Sequence, residues 1–392
     1  MQYAFTYHSS CASHNSFNTH KIFYTKLKKS YDLGKSAGET DSKKNRTFVV
    51  DMKKMKYIVC ESPGMFSLKS GSIPTLADQS ALLSIKRVGI CGTDLHAFKG
   101  NQPFFSYPRI LGHELAAEVI DVAEDVTGIK RGDRTVIIPY LNCERCVACK
   151  AGKSNCCERL SVLGVHSDGG MQEIVSIPSR LLIKANELSW EEIAIVEPLS
   201  IGAHALRRAE IKNDDVIVVI GCGPIGMGII QLAKYLGATV IAIDMNDYRL
   251  DVAQMEFGAD MVIRSNESAV DQLKKFTNGE LAHTVFDATG NKNAIESGMV
   301  YMRHGGQYVL VGLFKGEISF HHPSLHAKEA TLMSSRNATK VDFEFVMRVL
   351  QEKKFNTQAY ITSRVSYESI LTDFDKWTSP ESKEIKVITS WD

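Results

Sequence analysis

Between residues 216 and 311 the chain alternates two hydrophobic periodicities. Val216 to Ile220 is an unbroken run of β-branched residues, the pattern of a strand buried on both faces of a parallel sheet. A helical pattern follows in Ile225, Ile229, Leu232, Ala233 and Leu236, then a second strand over Thr239 to Ile243 that ends in Asp244. Further strands are predicted at Met261–Ile263, Thr284–Phe286 and Tyr308–Val311, separated by helical stretches around Ala269–Phe276 and Asn293–Met302. This alternation predicts a doubly wound α/β sheet over residues 199–336. "DATG" (Asp287–Gly290) and "VGLFKG" (Val311–Gly316) fall at carboxyl ends of strands, where such sheets bind ligands. Upstream, "MKYIVCES" begins a strand-like pattern at Met55. Residues 1–54 are polar, show no sustained period and contain no acid before Asp32, so they read as an extension outside the folded body or an over-called start site.

The junction between the first strand and helix carries Gly221-x-Gly223-x2-Gly226. A lone G-x-G-x-x-G string is weak, but here it stands between a strand and a helix. Gly221 makes the turn, Gly223 admits a pyrophosphate to the backbone, and Gly226 lets helix and strand pack closely. The pyrophosphate would rest at the positive helix end. Asp244 lies where an acid accepts hydrogen bonds from ribose hydroxyls and repels a 2′-phosphate, which favours NAD over NADP; Arg249 softens that preference. The expected cofactor contacts are Gly221, Gly223, Pro224, Ile225, Gly226, Asp244 and Arg249, with Val311 and Gly312 from a later strand end.

Composition narrows the function class. At 392 residues the chain is long enough for two domains, and its formal net charge of +1 argues against nucleic acid or an anionic membrane as partner. No apolar run reaches the ~20 residues that span a bilayer, and the opening residues lack a signal-peptide pattern, so a cytoplasmic location with reduced cysteines is expected. Five of the nine cysteines lie in "CERCVACKAGKSNCC". The spacing Cys143-x2-Cys146-x2-Cys149-x7-Cys157 suits a tetrahedral zinc closed by four thiolates, whose charge Arg145, Lys150 and Lys153 would offset. Spacing alone leaves Cys156 and Cys157 competing for the fourth place. A closed site of this kind is structural, so the chemistry lies elsewhere.

Cys91, Asp94, His96, His113 and Glu114 stand upstream of that lobe, and Glu197 precedes Pro198 downstream. Cys91, His113 and one or both glutamates form a mixed set that holds zinc while leaving room for substrate. Singly each is weak; Glu197 alone reads as an acid stabilising a helix start.

Taken in order, "CGTDLH", "LGHE", the four-cysteine lobe, "GGMQE", "VEP" and "GCGPIG" resemble the zinc-dependent medium-chain alcohol dehydrogenases over nearly all of Met55–Asp392. The resemblance implies a GroES-like, mostly-β catalytic domain over 55–198, with the zinc lobe at about 140–160. A Rossmann NAD-binding domain would occupy 199–336, and the chain would return to the catalytic domain over 337–392. It also implies two zinc ions per chain. Cys91, His113 and Glu197 would hold the catalytic ion, with Glu114 an additional or alternating ligand, and Cys157 rather than Cys156 would complete the structural site. Glutamate at 197 places the chain nearer the sorbitol and threonine dehydrogenases than the ethanol enzymes. "GNQPFFSYPR", "VLGVHSDGG", "VGLFKGE" and "SSRNAT" further resemble the bacterial L-galactonate 5-dehydrogenases, which implies oxidation of a sugar acid at C5 to D-tagaturonate. A polyol or threonine is the alternative substrate.

Zinc brings the proton loss of a bound hydroxyl into the neutral range, and the hydride goes to nicotinamide. Thr93 and His96 are the expected proton relay, Asp94 an acceptor orienting His113, and Arg336 the donor to a substrate carboxylate. A homodimer or homotetramer is expected from the family. A zinc-free NADPH reductase would lack Cys91, His113 and the lobe; a nucleotide sensor without activity would have lost ligands.

Overall fold

The structure is a computed structural model, and it describes residues 54–102, 105–379 and 382–392. The expectation for residues 1–54 therefore lies outside the described residues, save Lys54. Strands β1 (Met55–Ser62) and β2 (Met65–Gly71) form an antiparallel hairpin. The long strand β3 (Ser80–Ile90) leads through Cys91 into helix α1 (Gly92–Phe98). Then come β4 (Glu114–Val122), β5 (Arg134–Ile137), β6 (Tyr140–Leu141), β7 (Ser161–Val162), β8 (Ile174–Pro178) and β9 (Leu182–Lys184). The two-residue β6–β7 ladder, with Tyr140 opposite Val162, closes the base of the cysteine lobe.

Helix α2 (Val196–Arg208) crosses to the second half of the chain. There β10 (Val216–Ile220), helix α3 (Pro224–Tyr235), β11 (Thr239–Asp244), β12 (Met261–Arg264), β13 (Ala282–Asp287), β14 (Met302–Leu310) and β15 (Thr331–Ser334) follow. Their sheet has the order β12-β11-β10-β13-β14-β15, parallel throughout, with its order reversing beside β10. The doubly wound expectation holds, and Ile217, Val218 and Val219 are fully buried as their unbroken apolar run requires.

Two details differ from the sequence reading. The helix expected to Met302 ends at Ser297 and tightens into a 3₁₀ turn over Gly298–Tyr301, and β14 already begins at Met302. Gly298 stands at the break, where a Cβ would lie 2.7 Å from Ile220 Cδ1 and closer still to the Tyr308 hydroxyl, so a glycine is what lets the backbone press directly on the sheet.

After helix α4 (Lys340–Gln351), β16 (Ile361–Ser366) and β17 (Lys386–Ser390) rejoin the first half. The seven-stranded sheet has the order β16-β17-β3-β4-β5-β9, with β8 also paired to β3. One apolar core runs from Ile58 through Leu199 and Ile229 to Ile388, joining both sheets across α2 and α3. Among the described residues no helix is long and apolar enough to cross a membrane.

Candidate metal centres and nucleotide site

β3 and β4 are antiparallel neighbours, so the turn leaving β3 and the residues entering β4 meet at one end of the sheet. That topology brings Cys91, His113 and Glu114 together, with one ligand atom of each within 4.8 Å of the others. Asp94 braces the junction. Its Oδ2 accepts from Cys91 N–H at 2.9 Å and its Oδ1 from Gly112 N–H at 3.2 Å, tying the start of α1 to the approach to His113. Gly112 is needed there, since its φ is +91° and a Cβ would lie 2.9 Å from Val88.

Asp94 was expected to orient His113, yet its oxygen is 3.8 Å from Nδ1, beyond hydrogen-bond range. The carboxylate is already engaged by two amides. His113 Nδ1 is consequently a buried ring nitrogen with no hydrogen-bond partner. Burial alone would lower the His113 pKa, but Cys91, Asp94 and Glu197 outweigh it and raise it well above its ordinary value. Buried negative groups thus favour positive charge at this point. Thiolate, imidazole and carboxylate donors are the set that zinc accepts, so these residues fit the ion.

Glu197, in the first turn of α2, lies outside this three-residue group. It is buried and accepts a hydrogen bond from Tyr140, while burial and the nearby Glu114 push its carboxyl up to about 7. Thr93 is half-buried on α1 and His96 is exposed on the same helix, so the two span the distance from interior to solvent.

Three site residues escaped the sequence reading. Tyr140 is the donor to Glu197. Tyr360 is fully buried, and its hydroxyl, without a hydrogen-bond partner, feels the charges of Glu114, Cys91 and Glu197. Lys386 on β17 is buried and contacts both oxygens of Glu114 at 2.7 Å. A lysine inside the apolar run Ile385-Lys386-Val387-Ile388 was the one available signal.

The second cluster is the cysteine lobe. The sulfurs of Cys143, Cys146, Cys149 and Cys157 lie within 4.8 Å of one another, whereas Cys156 is exposed and outside the cluster. Amides of Cys149 and Glu158 draw the Cys146 thiol down to about 6, and burial pushes Cys157 up to about 11. Amides of Cys143 and Arg159 point at the Cys157 sulfur, both at 3.3 Å, as donors around a thiolate would. Four converging sulfurs fit a closed tetrahedral zinc.

At the carboxyl end of β10, Gly221 has φ +94°, and a Cβ on Gly226 would stand 1.8 Å from Gly221 O. Pro224 occupies the first turn of α3, where a missing N–H is harmless, and Ile225 is half-buried beside it. Arg249 reaches over Gly223, its Nη1 3.3 Å from where a Cβ would be. Asp244 accepts from Cys222 N–H at 2.6 Å and Asn246 N–H at 2.9 Å, which fixes the carboxylate at the strand end. Val311 and Gly312 both donate to Asp287 O at 2.9 Å, closing the facing strand end. Arg336 is exposed, and its carbonyl accepts from Asn155 of the cysteine lobe at 2.9 Å.

Residues 77–187 match the alcohol dehydrogenase GroES-like domain family, and residues 224–352 the zinc-binding dehydrogenase family. The L-galactonate-5-dehydrogenase of Escherichia coli K12 is 41% identical over 325 residues, 83% of this chain and 96% of that protein. A sorbitol dehydrogenase of Halalkalibacterium halodurans is 32% identical over 319 residues, 80% of this chain and 91% of that protein. Among solved structures, an Escherichia coli CFT073 short chain alcohol dehydrogenase complexed with NADH superposes with a TM-score of 0.81. It is 27% identical and covers 86% of this chain and 100% of its own.

Proposed function

Because the chain belongs to the zinc-type medium-chain alcohol dehydrogenases, enzymes that act on CH–OH donors, we propose that it oxidises a secondary hydroxyl of a sugar acid with NAD. L-galactonate, oxidised at C5 to D-tagaturonate, is the substrate we assign. The observation that carries this reading is the 41% identity to an L-galactonate-5-dehydrogenase across 96% of that protein's length.

A zinc ion held here would supply acidification of a substrate hydroxyl, and a bound nicotinamide would supply the hydride acceptor for the carbon that bears it. Cys91, His113 and Glu114 are the residues that would hold the catalytic ion, with Glu197 behind them. Cys143, Cys146, Cys149 and Cys157 would hold the structural one. Thr93 takes the hydroxyl proton inside and His96 passes it to solvent, so the products are a ketone, NADH and one proton. The glycine turn would carry the pyrophosphate, with Asp244 and Arg249 on the adenosine ribose and Val311 and Gly312 opposite. An acid at Asp244 opposes the 2′-phosphate of NADP, which is why NAD is assigned. Arg336 would meet the substrate carboxylate. The reading includes a cytoplasmic homodimer or homotetramer.

A panel of aldonates, polyols and threonine with NAD, followed by NADH absorbance, tests the substrate. Fast oxidation of L-galactonate is expected; fast oxidation of a polyol or threonine without it would overturn that assignment. Metal analysis should find two zinc ions per chain, and Cys91→Ala should lose one together with turnover.

A further inference from the structure

Lys386 and Glu114 form a buried ion pair directly beneath the candidate catalytic metal site, with side chains 1% and 0% exposed. The three ammonium protons of a lysine are all taken: Glu114 Oε1 and Oε2 at 2.7 Å each, and Ile90 O, the residue before Cys91, at 3.1 Å. The carboxylate cannot shift sideways without cost, because it lies over Gly89 of β3. A Cβ at that position would be 2.1 Å from Glu114 Oε2. Gly89 is the register partner of both Glu114 on β4 and Ile388 on β17, so three strands converge on one carboxylate. Yet the same carboxylate offers an atom within 4.8 Å of the Cys91 and His113 donors. Two cations contend for one anion.

We propose that Lys386 is a positioning residue that holds Glu114 back from the catalytic metal, keeping it a displaceable ligand so that a coordination position stays available to substrate. A carboxylate free of the lysine would close on a divalent ion with its full charge. One drawn to a fixed ammonium by two hydrogen bonds binds the ion less tightly and yields more readily. The inference rests on the proposed placement of zinc at Cys91, His113 and Glu114.

The test is release of zinc from the full-length holoenzyme to a chelating dye, together with the visible absorption of cobalt-substituted enzyme. Lys386→Met should slow release of the catalytic zinc roughly tenfold, the size of effect that groups behind a metal ligand have but of opposite sign, because this lysine competes with the ion for the carboxylate. Its cobalt bands should respond less to added substrate than those of wild type. Lys386→Gln, which hydrogen-bonds without a charge and is gentler on the fold, should shift both readouts in the same direction. Lys386→Arg keeps the cation and should release zinc at the wild-type rate. Equal or faster release in the neutral variants would overturn the inference. So would failure of both to retain two zinc ions, since the lysine would then serve the fold. If wild type holds only one zinc, and Cys91→Ala leaves that count unchanged, the placement of the catalytic metal itself has failed. If two are held and Cys91→Ala removes one, while the lysine variants match wild type, only the role of Lys386 is lost.

Discussion

His204 Nδ1 lies 2.9 Å from Asp342 Oδ2, joining α2 to α4 through two buried side chains. Arg207, one turn further along α2, contacts both oxygens of the same carboxylate at 2.7 and 3.0 Å. Asn155 reaches His204 Nε2 at 3.1 Å from the other side, so the cysteine lobe shares this network. A single aspartate thus holds the helix that carries Glu197.

Asp342→Asn should therefore destabilise the protein by about 2 to 3 kcal/mol, the exposure of Arg207 moderating the loss. Burial would raise the Asp342 pKa, but the hydrogen bonds from His204, Arg207 and Thr339 outweigh it and hold the carboxyl well below its ordinary 3.8. The stabilisation is then complete above about pH 5, fades as the unfolded chain takes up its proton near 3.8, and is lost once pH falls through the lower native value. Denaturant midpoints of both proteins, compared from pH 7 down to pH 3, should stay apart by a constant amount to about pH 5 and draw closer below it.

Gly226→Ala places a methyl carbon 1.8 Å from Gly221 O. The glycine turn must open, which is expected to weaken the fold by about 1 to 3 kcal/mol. It should also raise the NAD dissociation constant, measured by NADH fluorescence. Unchanged cofactor affinity would mean that this turn does not carry the pyrophosphate.

These glycines were readable because their meaning is local. Turn, close approach and helix packing all fall within six residues, as do the cysteine spacings of the lobe except the last. Cys156 and Cys157 are indistinguishable by spacing; the family resemblance points to Cys157, and the 3₁₀ turn over Ser154–Cys156 leaves that sulfur facing inward while Cys156 is exposed. The Lys386–Glu114 pair joins residues 272 positions apart, and no local period encodes such a meeting. Tyr140 was equally hidden, because it meets Glu197 only once the two-residue ladder at the lobe's base has formed. Asp94 shows a different limit: its position beside His113 was legible, but the two amides that claim it were not.

Cys146→Ser should reduce the zinc content from two ions per chain to one. Cys146 is the lobe sulfur whose pKa is drawn lowest, to about 6 by surrounding amides, and serine supplies no comparable thiolate. Metal analysis after gel filtration, alongside protease sensitivity of residues 143–157, reads the outcome. Retention of both ions would exclude the lobe as a zinc site.

Arg336→Ala should raise the KM for an aldonate about tenfold or more, since a charge-assisted hydrogen bond is lost, and leave that for an uncharged polyol nearly unchanged. Steady-state kinetics on both substrates decide it. Equal changes would remove Arg336 as the carboxylate's partner and leave it a brace for Asn155.

The pairing of β17 with the end of β3 sets an order of events during synthesis. Arg87 to Ile90, the stretch that leads into Cys91, has one backbone edge covered only by Ser390 to Val387. Thr389 and Val88 are separated by 301 positions, so at about 5 to 20 residues per second a ribosome needs on the order of 15 to 60 s to deliver the covering strand. For that interval the nascent chain presents an open strand edge beside the Cys91 thiol, and any factor that guards the growing polypeptide has its clearest task there.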